Sequence, residues 1–223
     1  MTTRVKICCI ASAEEAQLAI AHGASAVGLV GAMPSGPGPT DDDVIARIAA
    51  IVPPPIAAFL LTSRTDPESI IEHVKLCRVN TVQLVDAIKI QDYAALRRGL
   101  PGIKLVQVIH VQGQDTLHEA KEIAPLVDAI LLDSGNPGLA VKELGGTGRV
   151  HDWSISRQVV ASIGKPVFLA GGLNPGNIAQ AVKTVRPFGV DICTGVRSCG
   201  ALDLTKLKGF LSALHHGIGG NDD

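Results

Sequence analysis

Eight short apolar runs, each followed by an amphipathic stretch, constrain the fold more than any other feature of this 223-residue chain. They span 5–10, 26–30, 56–62, 81–86, 104–111, 129–133, 166–170 and 190–194, and are rich in Val, Ile and Leu. Near-continuous runs of this kind mark strands with both faces covered, as in a parallel sheet. Helices are predicted over 12–23, 41–52, 66–77, 93–100, 115–124, 152–163, 174–185 and 203–215. Ser12 caps the first, Glu14 and Glu15 suit its dipole, and Gly23 closes it. Asn174 is the expected cap of the seventh. Eight strand–helix repeats favour a single-domain (β/α)8 TIM barrel, with an open doubly wound sheet as the other architecture. No linker is visible: residues 1–223 read as one domain, with 217–223 a flexible tail.

Composition excludes several partners. A net charge of −1 and an aromatic content of 3% give no footprint for nucleic acid. There is no basic-plus-apolar leader and no apolar run approaching ~18 residues, so no membrane partner is expected. Five cysteines, an odd number without framework spacing, suit a reducing compartment and a cytoplasmic setting. Cys8, Cys9, Cys77, Cys193 and Cys199 lack a second close pair or a nearby His, so no metal site is expected.

Three glycine-rich turns follow late strands: Gly145-Gly146-Thr147-Gly148, Ala170-Gly171-Gly172 and Cys193-Thr194-Gly195. Glycine lets backbone N–H groups approach an anion without a Cβ in the way. In a barrel, the loops after strands seven and eight are the usual phosphate site. Taken singly, each turn is also explained as tight-turn chemistry; together they point to a phosphorylated small molecule.

Four strand positions carry chemistry. Alternation puts Lys6 and Cys8 on one face of strand one, with Ile7 and Cys9 on the other. An ammonium beside Cys8 favours a thiolate that acts as base or nucleophile, although a cysteine alone also fits as a small buried apolar residue. Asp133 ends strand six, where a carboxyl serves acid–base work or caps a turn. Asp191 sits between Val190 and Ile192 and needs a buried partner or substrate hydroxyls. His110 reaches toward the same end, while His22, His73, His118, His151, His215 and His216 are expected in solvent.

These residues together resemble the phosphoribosylanthranilate isomerase family, barrel enzymes of tryptophan biosynthesis. The matching segments are Lys6-Ile7-Cys8, Val82-Gln83-Leu84, Leu131-Leu132-Asp133, the Gly145–Gly148 turn with Asp152-Trp153, Leu169-Ala170-Gly171-Gly172-Leu173-Asn174-Pro175, Gly189-Val190-Asp191 and Gly195-Val196. The resemblance implies a cofactor-free Amadori rearrangement of N-(5-phosphoribosyl)anthranilate to 1-(o-carboxyphenylamino)-1-deoxyribulose 5-phosphate. It makes Cys8 the general base at C2 and Asp133 the general acid at the ring oxygen. Phosphate would rest on backbone amides around Gly146, Thr147, Gly148, Gly171, Gly172, Thr194 and Gly195. Lys6, Gln83, Asp191 and Arg197 are further substrate-binding candidates. No metal or cofactor is implied, and the chain would act as a monomer or homodimer.

The departures from the family pattern cluster. Cys9 replaces the Gly after the catalytic Cys, and residues 33–39 lack the Arg that helps bind the anthranilate side. Val85-Asp86 replaces His-Gly, Cys193-Thr194 replaces Ser-Ser, and Arg197 replaces Glu. A missing guanidinium forfeits a charge-assisted contact. Arg197 is the candidate for restoring that charge, and Asp86 for repelling an anionic aryl group. Two other readings keep the barrel: a paralogous isomerase or lyase for another sugar phosphate, and a non-catalytic barrel binding a phosphometabolite.

Overall fold

The computed structural model describes residues 3–136, 138–139, 141–145 and 148–219. Eight parallel strands close into a barrel in chain order: β1 (Arg4–Ile7), β2 (Ala26–Val30), β3 (Ala57–Thr62), β4 (Thr81–Leu84), β5 (Lys104–His110), β6 (Ala129–Asp133), β7 (Val167–Leu169) and β8 (Gly189–Ile192). Closure is made by β8 against β1, with Lys6 opposite Asp191. The covering helices are α1 (Ala13–Ala21), α2 (Asp42–Ile51), α3 (Pro67–Cys77), α4 (Tyr93–Gly99), α5 (Asp115–Ile123), α6 (Trp153–Ser162), α7 (Ile178–Val185) and α8 (Leu204–Gly219). None of the described helices is long and apolar enough to cross a membrane.

Unbroken apolar strands arise because the two faces of each serve different cores. On β5, Val106 and Val108 join Phe59, Leu61, Leu131 and Phe168 inside the barrel. Leu105 and Ile109, on the other face, pack outward with helix residues such as Ile45, Ile70 and Leu96. Side chains alternate across a strand, so one run fills both layers. Capping sets several helix starts. Ser12 accepts from Glu15 N at 3.2 Å, Asp66 from Ser69 N at 2.9 Å, and Asp152 from Ser154 N at 2.8 Å.

The structure departs from expectation in several elements. β1 stops at Ile7 because Cys9 takes φ 61, a left-handed conformation that ends the strand. α7 begins at Ile178 rather than at Asn174. Asn174 instead builds the preceding turn, its side chain bonding Gly172 O at 3.2 Å and Gly176 N at 2.9 Å. A two-stranded ribbon, β9 (Arg197–Ser198) with β10 (Ala201–Leu202), occupies the loop before α8. That last helix runs on through 217–219, the first residues of the expected tail.

His73 is also displaced from expectation: it is buried, not in solvent. It lies on the inner face of α3, bonded to Thr62 Oγ1 at 3.0 Å and to Asp42 Oδ1 at 2.9 Å. Asp42, His73 and Cys77 form one group whose potential ligand atoms lie within 4.8 Å of one another. Both imidazole nitrogens already have partners there. Burial holds the His73 imidazole below its ordinary pKa, against the opposing pull of Asp42.

Candidate active site

A solvent-open cleft of about 710 Å³ lies at the end of the barrel where strands give way to helices. Cys8, Gln83, Asp133 and Asp191 line it from β1, β4, β6 and β8 and their ends. So do Gly148, Gly171, Gly172 and Thr194 from the loops after β6, β7 and β8. The residues singled out from sequence therefore converge, with exceptions described below. Gly146 and Thr147 lie outside the described residues.

Lys6 sits beneath the floor, fully buried, its Nζ 2.8 Å from Asp191 Oδ2 and 5.3 Å from the centre of the Phe59 ring. Burial alone would lower its pKa, but the Asp191 carboxylate, helped by Cys8, raises it instead, so the ammonium is kept. Strand β2 makes room at Gly28, where a Cβ would fall 2.9 Å from both Lys6 Nζ and Cys8 Sγ. Asp191 thus completes a buried pair through Oδ2 and leaves Oδ1 with no protein partner. Gln83 Oε1 is likewise buried and unpartnered. Two acceptors in a cleft wall ask for donors, since a buried unmet acceptor costs about 1–3 kcal/mol.

The thiol and the carboxyl are tuned in opposite directions. A hydrogen bond with Cys9 lowers the Cys8 pKa; burial opposes it and the Lys6 ammonium adds to it. Burial raises the Asp133 pKa, against a 2.7 Å bond from Ser134 N and the nearby His110, and with help from Asp191. A thiol made easier to ionise and a carboxyl made harder to ionise share one cleft. These are the properties of a base and an acid. His110 stands beside Asp133 across β5 and β6 rather than in the cleft lining.

The glycine turns pack backbone to backbone. Gly171 and Gly172 take φ +82 and +61, and a Cβ on Gly172 would fall 2.7 Å from the Arg149 carbonyl. Only glycine permits this closeness, which draws the loops after β6 and β7 to one rim. Gly195 lies behind the rim, with Thr194 facing the cleft.

Arg197 does not supply the missing positive charge, which corrects the expectation. Its guanidinium is buried outside the cleft, 3.0 Å from each Glu15 oxygen. It also donates to the carbonyls of Cys8 at 3.2 Å, Cys9 at 2.5 Å and Gly200 at 2.8 Å. Burial would raise the Glu15 pKa, but the Arg197 bond and charge, together with bonds from the Leu202 and Ala11 backbone N–H groups, outweigh it and keep the carboxylate charged. The residue clamps the turn that carries the thiols. Asp86 also lies outside the lining, bonded to Lys142 at 2.5 Å, so its charge is met before it reaches a ligand. Sequence reasoning missed the contributions of Cys9, Cys193, Met33 and Ser35 to the lining. For the two cysteines the departures from the family pattern were the available signal.

Together the fold and the cleft define a (β/α)8 barrel enzyme with a thiol, a carboxyl and glycine-rich loops around one cleft. The family model for N-(5'phosphoribosyl)anthranilate (PRA) isomerase matches residues 5–213, and the chain belongs to that family. N-(5'-phosphoribosyl)anthranilate isomerase 2 of Methanosarcina mazei is 38% identical over 210 residues, covering 93% of this chain and 92% of that protein. The crystal structure of phosphoribosyl anthranilate isomerase from Thermotoga maritima superposes with a TM-score of 0.83 at 28% identity, covering 96% of this chain and all of the other. A phosphoribosyl anthranilate isomerase in complex with reduced 1-(o-carboxyphenylamino)-1-deoxyribulose 5-phosphate matches at a TM-score of 0.80 and 26% identity, covering 96% of this chain and 100% of its own.

Proposed function

We infer that the protein is a phosphoribosylanthranilate isomerase of tryptophan biosynthesis, working in the cytoplasm as an intramolecular aldose–ketose isomerase without a cofactor. The observation that carries this reading is the opposed tuning of Cys8 and Asp133 in one cleft. Asp133 gives its proton to the ribose ring oxygen as the C1–O bond breaks, and the nitrogen lone pair forms the iminium. The Cys8 thiolate then takes the proton from C2, and the electron pair moves through C2–C1 to nitrogen, leaving an enolamine. Protonation at C1 and loss of the hydroxyl proton at C2 give the ketose. C2 is oxidised and C1 reduced, with no external oxidant or reductant.

In this reading the backbone around Gly146, Thr147, Gly148, Gly171, Gly172, Thr194 and Gly195 holds the phosphate. The unpartnered Gln83 Oε1 and Asp191 Oδ1 accept from ribose hydroxyls. Anchoring the phosphate leaves C1 and C2 between thiol and carboxyl, which is where binding energy becomes orientation. Lys6 acts from below by holding Asp191 and favouring the Cys8 thiolate.

Loss of phosphoribosylanthranilate fluorescence on adding the protein is the test. Cys8→Ser and Asp133→Asn should each lower kcat by about 10²–10⁴-fold. Absence of turnover by the unmutated protein would overturn the reading. One observation favours the paralogue: among the described residues lining the cleft, the charged side chains are Asp133 and Asp191, with no cation for an aryl carboxylate. Turnover of an aminoribose phosphate without that carboxylate, and not of the anthranilate, would establish it.

A further inference from the structure

Cys9 and Cys193 meet at the cleft wall, their sulfurs 2.6 Å apart with Cys193 donating. Both residues line the cleft, and both are free thiols. The left-handed turn at Cys9 brings its side chain in beside Cys8 instead of out toward the helices. Cys193 follows the last residue of β8 and is only half-buried, so a small solute in the cleft can reach it. Both positions are departures from the family pattern, and one contact uses both.

We propose that Cys9 and Cys193 are a modification site, a disulfide closed by a peroxide and reopened by a thiol, in the cleft wall beside Cys8. The Cys193 sulfur attacks the peroxide O–O bond, giving a sulfenic acid and one water. The Cys9 sulfur then displaces the sulfenic hydroxyl: the S–S bond forms, the S–O bond breaks, and a second water leaves. Two thiols lose two electrons and two protons, and one peroxide is reduced to two waters.

The consequence for Cys8 follows from what Cys9 supplies. Hydrogen bonds with Cys193 and Cys8, together with burial, hold Cys9 strongly toward the protonated form, and its S–H also reaches the Pro37 carbonyl at 3.5 Å. Its bond is the leading cause of the lowered Cys8 pKa, ahead of Lys6, with Asp191 opposing. A disulfide sulfur carries no hydrogen. Once the link closes, Cys8 keeps Lys6 beside it but loses the larger stabilisation of its thiolate. Thiolate is the reactive form, so a smaller fraction of Cys8 stands ready at neutral pH, both as base and as nucleophile.

The effect on turnover rests on Cys8 being the base; the link itself does not. Reduced protein is treated with hydrogen peroxide and mapped without reduction, and labelling of Cys8 by iodoacetamide at neutral pH is timed alongside turnover. The Cys8–Cys9 peptide should be joined to the Cys193 peptide, and Cys8 labelling should slow by about tenfold for each unit of pKa regained. Dithiothreitol should reverse both. In Cys193→Ser, compared with its own untreated sample, peroxide should leave Cys9 unlinked and labelling unslowed. A Cys9 that stays free or pairs with Cys8, or a linked protein whose Cys8 labels at the old rate, would overturn the proposal. Linkage with slowed labelling but undiminished turnover would uphold the thiol pair and refute Cys8 as the base.

Discussion

At the scale of single residues, the cleft depends on charges that have been taken out of water and given partners. Lys6→Met leaves the Asp191 carboxylate buried without its ammonium, a loss of about 3–5 kcal/mol by chemical denaturation. The double variant Lys6→Met/Asp191→Leu should recover much of that stability while staying inactive. Asp133 shows the opposite sign. Its folded pKa is raised by burial, so the native state binds the proton more tightly than the unfolded chain does. Stability therefore falls as pH rises from the ordinary carboxylate range through the raised folded value. Asp133→Asn should raise Tm at neutral pH and lose that advantage in acid. That Cys8 and Asp133 reach one cleft was legible in sequence, because Asp133 ends a strand and Cys8 directly follows one. The role of Arg197 was not. Its target is the pair of carbonyls at Cys8 and Cys9, far away in the chain, and no local pattern announces such a contact.

Among elements, the β1–α1 turn is the part most worth perturbing. Cys9 takes a left-handed conformation where the family pattern has Gly, and the Glu15–Arg197 pair braces the carbonyls of Cys8 and Cys9. Arg197→Met should lower kcat by about 10²-fold through misplacement of the thiol, with a smaller effect on KM. Arg197→Lys should rescue little, because an ammonium cannot fork to both Glu15 oxygens and the carbonyls at once. Steady-state kinetics on the two variants check this. Element boundaries were the less legible part of the fold. Asn174 reads as a helix cap, yet its side chain serves the turn and α7 waits until Ile178. Asn caps and Asn turns use the same hydrogen bonds, so the residue type does not distinguish them. His73 misled for a similar reason: a histidine on an amphipathic helix faces solvent unless its face is known, and Thr62 and Asp42 were the missing information.

Across the whole molecule, alternation made the architecture readable. Residues such as Val106 and Leu105 serve different cores, so only a doubly covered sheet explains the runs. Phe168 tests how far the inner core holds the barrel together. Its ring packs edge-on against Phe59 at 5.9 Å and Phe188 at 5.4 Å, from β7 toward both β3 and the start of β8. Phe168→Ala should cost about 3–5 kcal/mol in denaturant melts, with coincident loss of secondary structure and activity. Closure was expected from the eight repeats, but the contact that seals it, Lys6 with Asp191, was not, because the two lie 185 residues apart.

That closure has a consequence for how activity arises. Lys6 belongs to the first strand and Asp191 to the last, so the pair bridges the seam of the barrel. While the polypeptide is still emerging from the ribosome, Lys6 has no counter-ion and the thiol above it has no finished cradle. Competence arrives late, with the eighth strand, and a nascent chain cannot begin work before its synthesis is nearly done. Two halves produced separately and split between β4 and β5 should each be silent, becoming active only when they find one another.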